Sequence, residues 1–544
     1  MAATAAERST RSRAVAPVRA GGPAAWIGIL LVLIGLVWLM LRERYFRGWV
    51  DDDAYISFRY ARNLATGHGL VFNPGERVEG YTNFLWTVLL ALVHALGGDL
   101  PRAAPLVGGF FAVATVGVVA LCARNLIAPT LALRPLVVAV APVVLCFSDS
   151  WAAWGVGGLE NALSGFLLAS VYYAYLRARQ EPARPRLVAV AALAALAVLN
   201  HPSNALFAAI FAAHLAWPAG GRVARRDLAV AAATFLVPVV VWTLWRLAYY
   251  GDLLPNTFYA KVGFTRFVLL RGLSFLGEVL RALPLAYTAT VALALLLARR
   301  REWRHPAWIA VTAILLATAY AGAVGGEQFP AFRSLVVLMP FFALVLAVLA
   351  AEVGVALAAL RPAAGAAAAA GVAAVAVIGH ALPLAASPRV RILDEALRLG
   401  RTALSTTAAL RLKESLPPET LFAHSGAGLI AYYTNFRWID TLGLTDRHIA
   451  RTRVVEMGRG AAGHEKGDGQ YVWSRRPDYV MFPGYPISDP KPGTKSDREL
   501  FAIPEFRSTY RLIRFPFRFQ GPHDDLAREY ALFLWQRHDH AAPD

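Results

Sequence analysis

The chain has 544 residues, of which 57% are hydrophobic and only 17% charged, with a mean hydropathy of +0.46. A soluble enzyme of this length carries about 25% charged residues, so a water-soluble globular protein is excluded. The formal net charge of +18 does not indicate nucleic acid, because the arginines cluster between apolar runs as the positive-inside rule demands of cytoplasmic loops.

In chain order, a basic N-terminal tail (1–25, with Arg8, Arg11, Arg13 and Arg19) precedes an apolar run at 26–41. No small-residue cleavage site follows, so it reads as a retained first membrane helix and not a signal peptide. Further apolar segments at 82–97, 104–123, 133–148, 159–176, 187–200, 204–217, 228–248, 283–299, 306–322, 333–352 and 363–384 are long enough to be membrane or membrane-surface helices. Basic clusters at 177–186, 222–226 and 299–304 join the N-terminal arginines on the cytoplasmic side. Segments 200–204, 249–261, 325–333 and everything after 385 then fall outside. Segment 82–97 must be interfacial or re-entrant to keep this topology, which leaves about eleven spans. Cys122 and Cys146 both lie in apolar stretches and form no zinc or disulfide spacing.

The expected fold class is therefore mostly α. A polytopic membrane domain (26–387, with a first external loop at 44–103) carries an extracytoplasmic α/β domain at 388–544. In the latter, strands are expected at 420–423 and 479–482 beside a helical window at 391–414.

The segment with most chemistry follows the first helix: Trp49-Val50-Asp51-Asp52-Asp53-Ala54-Tyr55-Ile56-Ser57-Phe58-Arg59-Tyr60. Adjacent carboxylates repel, so one has a raised pKa or a bound cation, and one is placed to take the proton of an attacking hydroxyl. A solvated acidic loop is the plain alternative. The run continues through Gly67-His68-Gly69-Leu70-Val71-Phe72-Asn73-Pro74-Gly75-Glu76 to Thr82-Asn83-Phe84-Leu85-Trp86. This block resembles the first external loop of bacterial GT-C glycosyltransferases, especially the group containing the mycobacterial terminal arabinofuranosyltransferases. Those proteins carry an Asp-Asp pair, a Gly-x-Gly-hydrophobic-x-Asn-Pro-Gly-Glu turn and a Thr-x-x-Leu-Trp helix start.

Other segments resemble the same family. They are Tyr249-Tyr250-Gly251-Asp252 through Phe258-Tyr259-Ala260-Lys261, and Gly325-Gly326-Glu327-Gln328-Phe329-Pro330-Ala331-Phe332-Arg333, where Glu327 replaces the usual Asp. Gly157-Gly158-Leu159-Glu160-Asn161 is similar to a Ser-Gly-Leu-Glu-Thr element, and His201-Pro202 stands where an Arg-Pro-acid element is usual. The last departs from the pattern, so His201 inherits no role and marks a changed substrate or a hydrogen-bonded helix end. After residue 426, Gly426-Ala427-Gly428, Asp440-Thr441-Leu442-Gly443 and Gly463-His464-Glu465-Lys466 resemble the family's C-terminal domain.

The resemblance implies sugar transfer from a polyprenyl-phosphate donor, arabinose first among the candidates, to a glycan, lipid or protein hydroxyl. Asp52 or Asp53 would be the base of an inverting reaction. Arg333 and Lys261 would hold the donor phosphate, with Arg59 and Tyr259 behind them. A salt bridge to Glu327 is the competing explanation for Arg333, and a snorkelling cation in an aromatic belt the one for Lys261. Glu160, Glu327 and His201 are expected near the acceptor. Mg²⁺ or Mn²⁺ on Asp52 and Asp53 is an open possibility. A lipid-linked-sugar transporter or a non-catalytic assembly factor is the alternative class, disfavoured because no inverted repeat is visible and the acids concentrate on loops.

Overall fold

The computed structural model describes residues 22–539 apart from 130, 132, 217–223, 360–361 and 485–486. The four N-terminal arginines and Arg222 lie outside the described residues. The first half is helical: α1 (Pro23–Phe46), α2 (Asp52–Ala65), α3 (Phe84–Ala95), α4 (Leu100–Leu126), α5 (Arg134–Cys146), α6 (Asp149–Val156), α7 (Asn161–Gln180), α8 (Arg184–Asn200), α9 (Ala205–Ala216) and α10 (Arg225–Tyr250). Then follow the short α11 (Asn256–Lys261) and α12 (Arg266–Ala282), α13 (Pro284–Arg299), α14 (Trp308–Ala323), α15 (Met339–Ala358) and α16 (Pro362–Ala385). Proline in the first two positions starts α1, α4, α5, α8, α13, α15 and α17 (Pro388–Arg398), where the missing N–H costs nothing.

Four helical stretches, α1, α4, α10 and residues 330–358, are long and apolar enough to cross a membrane, and three bent helix pairs pass the same test jointly. In α1 and α10 the apolar side chains face outward: Leu236, Val237, Val240, Val241 and Leu244 of α10 are exposed. An apolar exterior around a packed centre, where α15 is almost wholly buried, suits lipid as solvent. The 12-residue α3 is about 18 Å long at 1.5 Å per residue, too short to cross.

Gly400, at φ 58°, ends α17 and splits the expected window at 391–414 into α17 and α18 (Arg401–Ser415). Beyond it a five-stranded sheet has the order β2-β1-β3-β5-β4. The strands are β1 (Leu421–His424), β2 (Arg437–Asp440), β3 (Tyr479–Met481), β4 (Tyr510–Phe519) and β5 (Arg528–Arg537). The first three are parallel, and β5 and β4 add antiparallel. Helices α19 (Leu429–Thr434), α20 (Arg447–Ala450), α21 (Gly469–Ser474), α22 (Lys495–Phe501) and α23 (Phe506–Thr509) connect them. Sheet domain and first loop share one core, in which Ile56, Tyr60, Leu70, Phe72 and Tyr81 pack with Phe422, Ala427, Phe436 and Trp438. That common core fixes α2 against the sheet domain.

Candidate functional site

Three consecutive aspartates begin α2, and each has a different partner. Asp51 is the N-cap, accepting the Asp53 backbone N–H at 3.0 Å. Such a cap, with acids in the first turn, is favoured by the free N–H groups and the helix dipole. Burial first, then the Asp53 charge, pushes Asp51 above the usual carboxylate range. Asp52 turns to the sheet domain and accepts the Leu429 N–H at 2.8 Å. A Cβ on Gly428 would stand 2.4 Å from Asp52 Oδ2, so only glycine admits this approach.

Asp53 alone of the three lines an internal cavity of about 380 Å³. Its Oδ2 lies 3.1 Å from Arg333 Nη1 and 3.6 Å from Lys261 Nζ. Burial raises its pKa, but Lys261 and then Arg333 outweigh burial and hold it below the usual range. Arg333 Nη2 also lies 3.7 Å from Glu160 Oε1, and its guanidinium packs 4.6 Å from the Phe329 ring centroid. Asn83 fixes Glu160, donating to Oε2 at 2.7 Å while accepting from Ser57 and Thr87 at 3.0 Å each.

The 325–333 loop that carries Arg333 is held from both sides. Arg271 donates to Gly325 O, and Arg389 donates to Phe329 O and Glu327 O. Ala331 and Phe332 sit at φ 49° and 53°, a left-handed conformation that side chains disfavour and that persists only where the surroundings enforce it. Glu327 caps this turn through the Ser334 N–H at 2.9 Å, so Arg333 pairs with Asp53 and Glu160, not Glu327.

His201 lines the same cavity. Its Nδ1 accepts the Ser203 N–H at 3.3 Å, which places the proton of the neutral ring on Nε2. Burial first, and the cations Arg333 and Lys261 against the opposing pull of Glu160, lower its pKa. Asn161 Oδ1 and Thr257 Oγ1, buried in the cavity lining, have no hydrogen-bond partner among the described residues. Unmatched buried polar atoms cost about 1–3 kcal/mol each, so they favour a hydroxyl-bearing occupant. The rest of the lining mixes polar side chains, among them Ser57, Thr82, Ser164, Asn204, Glu327 and Ser334, with apolar ones, and Leu254, Phe258 and Tyr320 line it while also being exposed at the surface.

Two sequence expectations, for Arg59 and Tyr259, are corrected, and the open question of a cation on Asp52 and Asp53 meets a donor set that does not suit one. Arg59 is 1% exposed, and its guanidinium is used within the protein, donating to Phe72 O, Ala431 O, Asn73 Oδ1 and Phe436 O. It ties the first loop to the sheet domain, spends four of its five N–H donors there and does not line the cavity that holds Asp53. Tyr259 does not line the cavity; its ring lies under the Arg451 guanidinium at 4.4 Å. Asp52 and Asp53 do not form a shared cation site, since they point to different partners. Two cations already face Asp53, and among the described residues no three His, Cys, Asp or Glu side chains converge as a metal-ligand set. That donor set does not fit Mg²⁺ or Mn²⁺, which take several oxygen ligands.

Sequence reasoning missed Asn83, Asn161 and Thr257. All three lie inside the segments singled out above, but Asn83 and Asn161 are small polar residues at the start of apolar helices, which also describes an ordinary cap, and Thr257 sits in the short α11.

A protein-family model described as Domain of unknown function (DUF8728) matches residues 394–533, in the sheet domain. Over 245 residues, 43% of this chain, the sequence is 30% identical to a terminal beta-(1->2)-arabinofuranosyltransferase of Mycobacterium tuberculosis. Over 47 residues, 9% of this chain, it is 51% identical to the protein of the same name from Corynebacterium glutamicum. The matched stretches span 38% and 7% of those relatives' own lengths. The crystal structure of ArnT from Cupriavidus metallidurans bound to undecaprenyl phosphate superposes with a TM-score of 0.52, covering 77% of this chain and 86% of that one at 15% identity. At that identity the likeness is one of fold. The chain is thus a mostly helical protein with long apolar helices and a C-terminal sheet domain, similar in fold to ArnT and, over part of its length, similar in sequence to the terminal arabinofuranosyltransferases.

Proposed function

We propose that the chain is a polyprenyl-phosphate-dependent glycosyltransferase that moves one sugar, arabinofuranose first among the candidates, onto a hydroxyl of a cell-envelope glycan. A lipid or protein hydroxyl is the other acceptor class. In this proposal it spans a bacterial inner membrane about eleven times, with a cytoplasmic N-terminus and the sheet domain outside. The observation that carries the reading is the joining, in one cavity, of a carboxylate held by two cations to apolar side chains, Leu254, Phe258 and Tyr320, that are also exposed at the protein surface. A lipid phosphate has that two-part chemistry.

Arg333 and Lys261 take the donor phosphate, Arg333 as a planar fork and Lys261 as a point charge. The prenyl chain leaves past Leu254, Phe258 and Tyr320. Glu160, the His201 Nε2–H, Asn161 Oδ1 and Thr257 Oγ1 hold sugar and acceptor hydroxyls. The acceptor oxygen bonds to the anomeric carbon as the bond from that carbon to the phosphate oxygen breaks. The electron pair goes to the phosphate, and the acceptor proton passes to Asp53 Oδ1, the oxygen neither cation engages.

Without donor, both cations depress the basicity of Asp53. A phosphate seated between them shares their charge, so the base strengthens only when the leaving group is in place. Stabilising the departing phosphate is the other main contribution.

The test is glycosyl transfer by purified protein in detergent with a panel of polyprenyl-phosphate sugars, beside the Asp53→Asn variant. Turnover of one donor that vanishes in the variant supports the reading. A folded protein that binds donors yet turns over none moves the assignment to transport or assembly.

A further inference from the structure

A second cavity, about 1070 Å³, opens between residues 76–78 of the first loop and the sheet domain. Only a thin partition separates it from the first. Val78 and Thr445 line the cleft, while Gly80, Tyr81 and Leu444 line the Asp53 cavity. Asn256 pins that partition, donating to Gly443 O, Leu444 O and Asp446 O from its side chain and to Glu79 O from its backbone.

The carboxylates that line the cleft are all engaged within the protein. Glu76 pairs with Arg437 and Arg475, Asp446 accepts from Tyr471, Asp468 pairs with His448, and Glu499 pairs with Lys495. The guanidiniums are in surplus. Arg447 and Arg451 share the single carboxylate of Asp252 at 2.5 and 2.7 Å. Arg77 lies over the Tyr249 ring at 4.7 Å and pairs with no carboxylate, and Arg453 has no partner among the described residues. Four guanidiniums against two carboxylates, Asp252 and Asp446, leave an excess of positive charge that attracts anions. Val78 is the only aliphatic residue of the lining, so nothing there would take an acyl or prenyl chain. The His448 ring instead stacks on Tyr471 with centroids 4.1 Å apart, a flat polar platform of the size of a sugar ring.

We propose that this cleft is a second binding site for an anionic, water-soluble glycan segment, phosphate- or carboxylate-bearing, that belongs to the acceptor. Its description as an acceptor site rests on the glycosyl-transfer reading; anion-selective glycan binding stands apart from it. Binding of labelled tetragalacturonate and labelled maltotetraose to the full chain in detergent tests the site by fluorescence anisotropy. Tetragalacturonate should bind about tenfold tighter at low ionic strength. An Arg77→Glu, Arg453→Glu double variant should lose that preference, and Asp53→Asn should keep it. Both arginines are exposed and carry no ion pair, and an Arg453→Gln single variant with a partial loss guards against misfolding. Equal binding of the two oligosaccharides, or a preference that survives the double variant, overturns the proposal. So does displacement of tetragalacturonate by phosphatidylglycerol micelles but not by free galacturonate, which assigns the arginines to lipid headgroups. If no donor is turned over but the preference holds, the transfer reading fails and the site remains.

Discussion

The two cavities on either side of residues 78–81 handle charge in opposite ways. In the inner one a few charges are concentrated in a buried pocket: Asp53, Arg333, Lys261 and Glu160 form a chain of contacts with no step longer than 3.7 Å. In the outer cleft many charges are spread over a solvated surface, and most cancel locally. Coulombic interaction strengthens as water is excluded, so each inner charge controls its neighbours' ionisation, whereas the outer arginines act as a summed field that salt screens. The inner cavity is thereby suited to bond-making and the outer cleft to holding a ligand.

Neutralising Asp53 tests the contrast most severely. Asp53→Asn should reduce transfer by about 10²–10⁴-fold while leaving tetragalacturonate binding in the cleft unchanged. A variant that retains a tenth of wild-type turnover would remove Asp53 from the base role. Arg333→Lys is the next largest effect. It keeps the charge but loses the fork that spans Asp53 and Glu160, so donor affinity or turnover should fall by about 10–100-fold. Single-turnover kinetics separates the two losses. An effect confined to acceptor KM would place Arg333 on the wrong substrate.

A smaller effect concerns pH. Burial raises the Asp53 pKa, and Lys261 leads the groups that bring it below its ordinary value. A depressed folded pKa means the carboxylate stays ionised below its unfolded value of about 3.9. The stability it contributes is present above that value and lost as pH falls through the folded pKa. Lys261→Gln removes the leading depressor, so the Asp53 pKa rises and the acid limbs of both kcat/KM and thermal stability should move to higher pH. A limb that stays in place would show that Lys261 does not govern the ionisation of Asp53. The outer-cleft substitutions should leave both limbs where they are.

Much of this site was legible in the sequence because it sits in short motifs that survive as local structure: Asp53, Glu160, Lys261, His201 and Arg333 all reach one cavity. The errors share one cause. Residues 51–60 read as part of an external loop, 44–103, with no helix assigned, but Asp51 caps a helix there, and a helix advances about 100° per residue. From Asp53, residues 56, 57 and 60 return to the same side, whereas Asp52 and Arg59, seven apart, share another. That other side meets the sheet domain, where both residues hydrogen-bond. Tyr259 fails for the same reason: Phe258 and Lys261 are three apart on α11 and face the cavity together, and position 259 turns away. The hairpin of β4 and β5 carried a usable signal too. Phe515, Phe517 and Phe519 alternate inward between Arg514, Pro516 and Arg518, the period of a strand, with proline tolerated because β4 is an edge. The left-handed turn at Ala331 and Phe332 left no trace in residue type, since it is enforced by Arg271 and Arg389 from elsewhere in the chain.

The phase of α2 gives the smallest and most discriminating expectation. Asp52→Asn keeps an oxygen acceptor for the Leu429 N–H and changes no group that lines the inner cavity. It replaces a charge-assisted hydrogen bond with a neutral one, a loss of about 1 kcal/mol. Turnover of the purified variant should stay within about fivefold of wild type, the change that about 1 kcal/mol makes even if the whole loss reaches the transition state. Thermal unfolding should register the lost bond as a modest drop in midpoint. Adjacent aspartates one residue apart would then differ by orders of magnitude in rate. If Asp52→Asn and Asp53→Asn instead disable transfer equally, the separation of the two side chains breaks down, and α2 must turn on donor binding to bring Asp52 into the cavity.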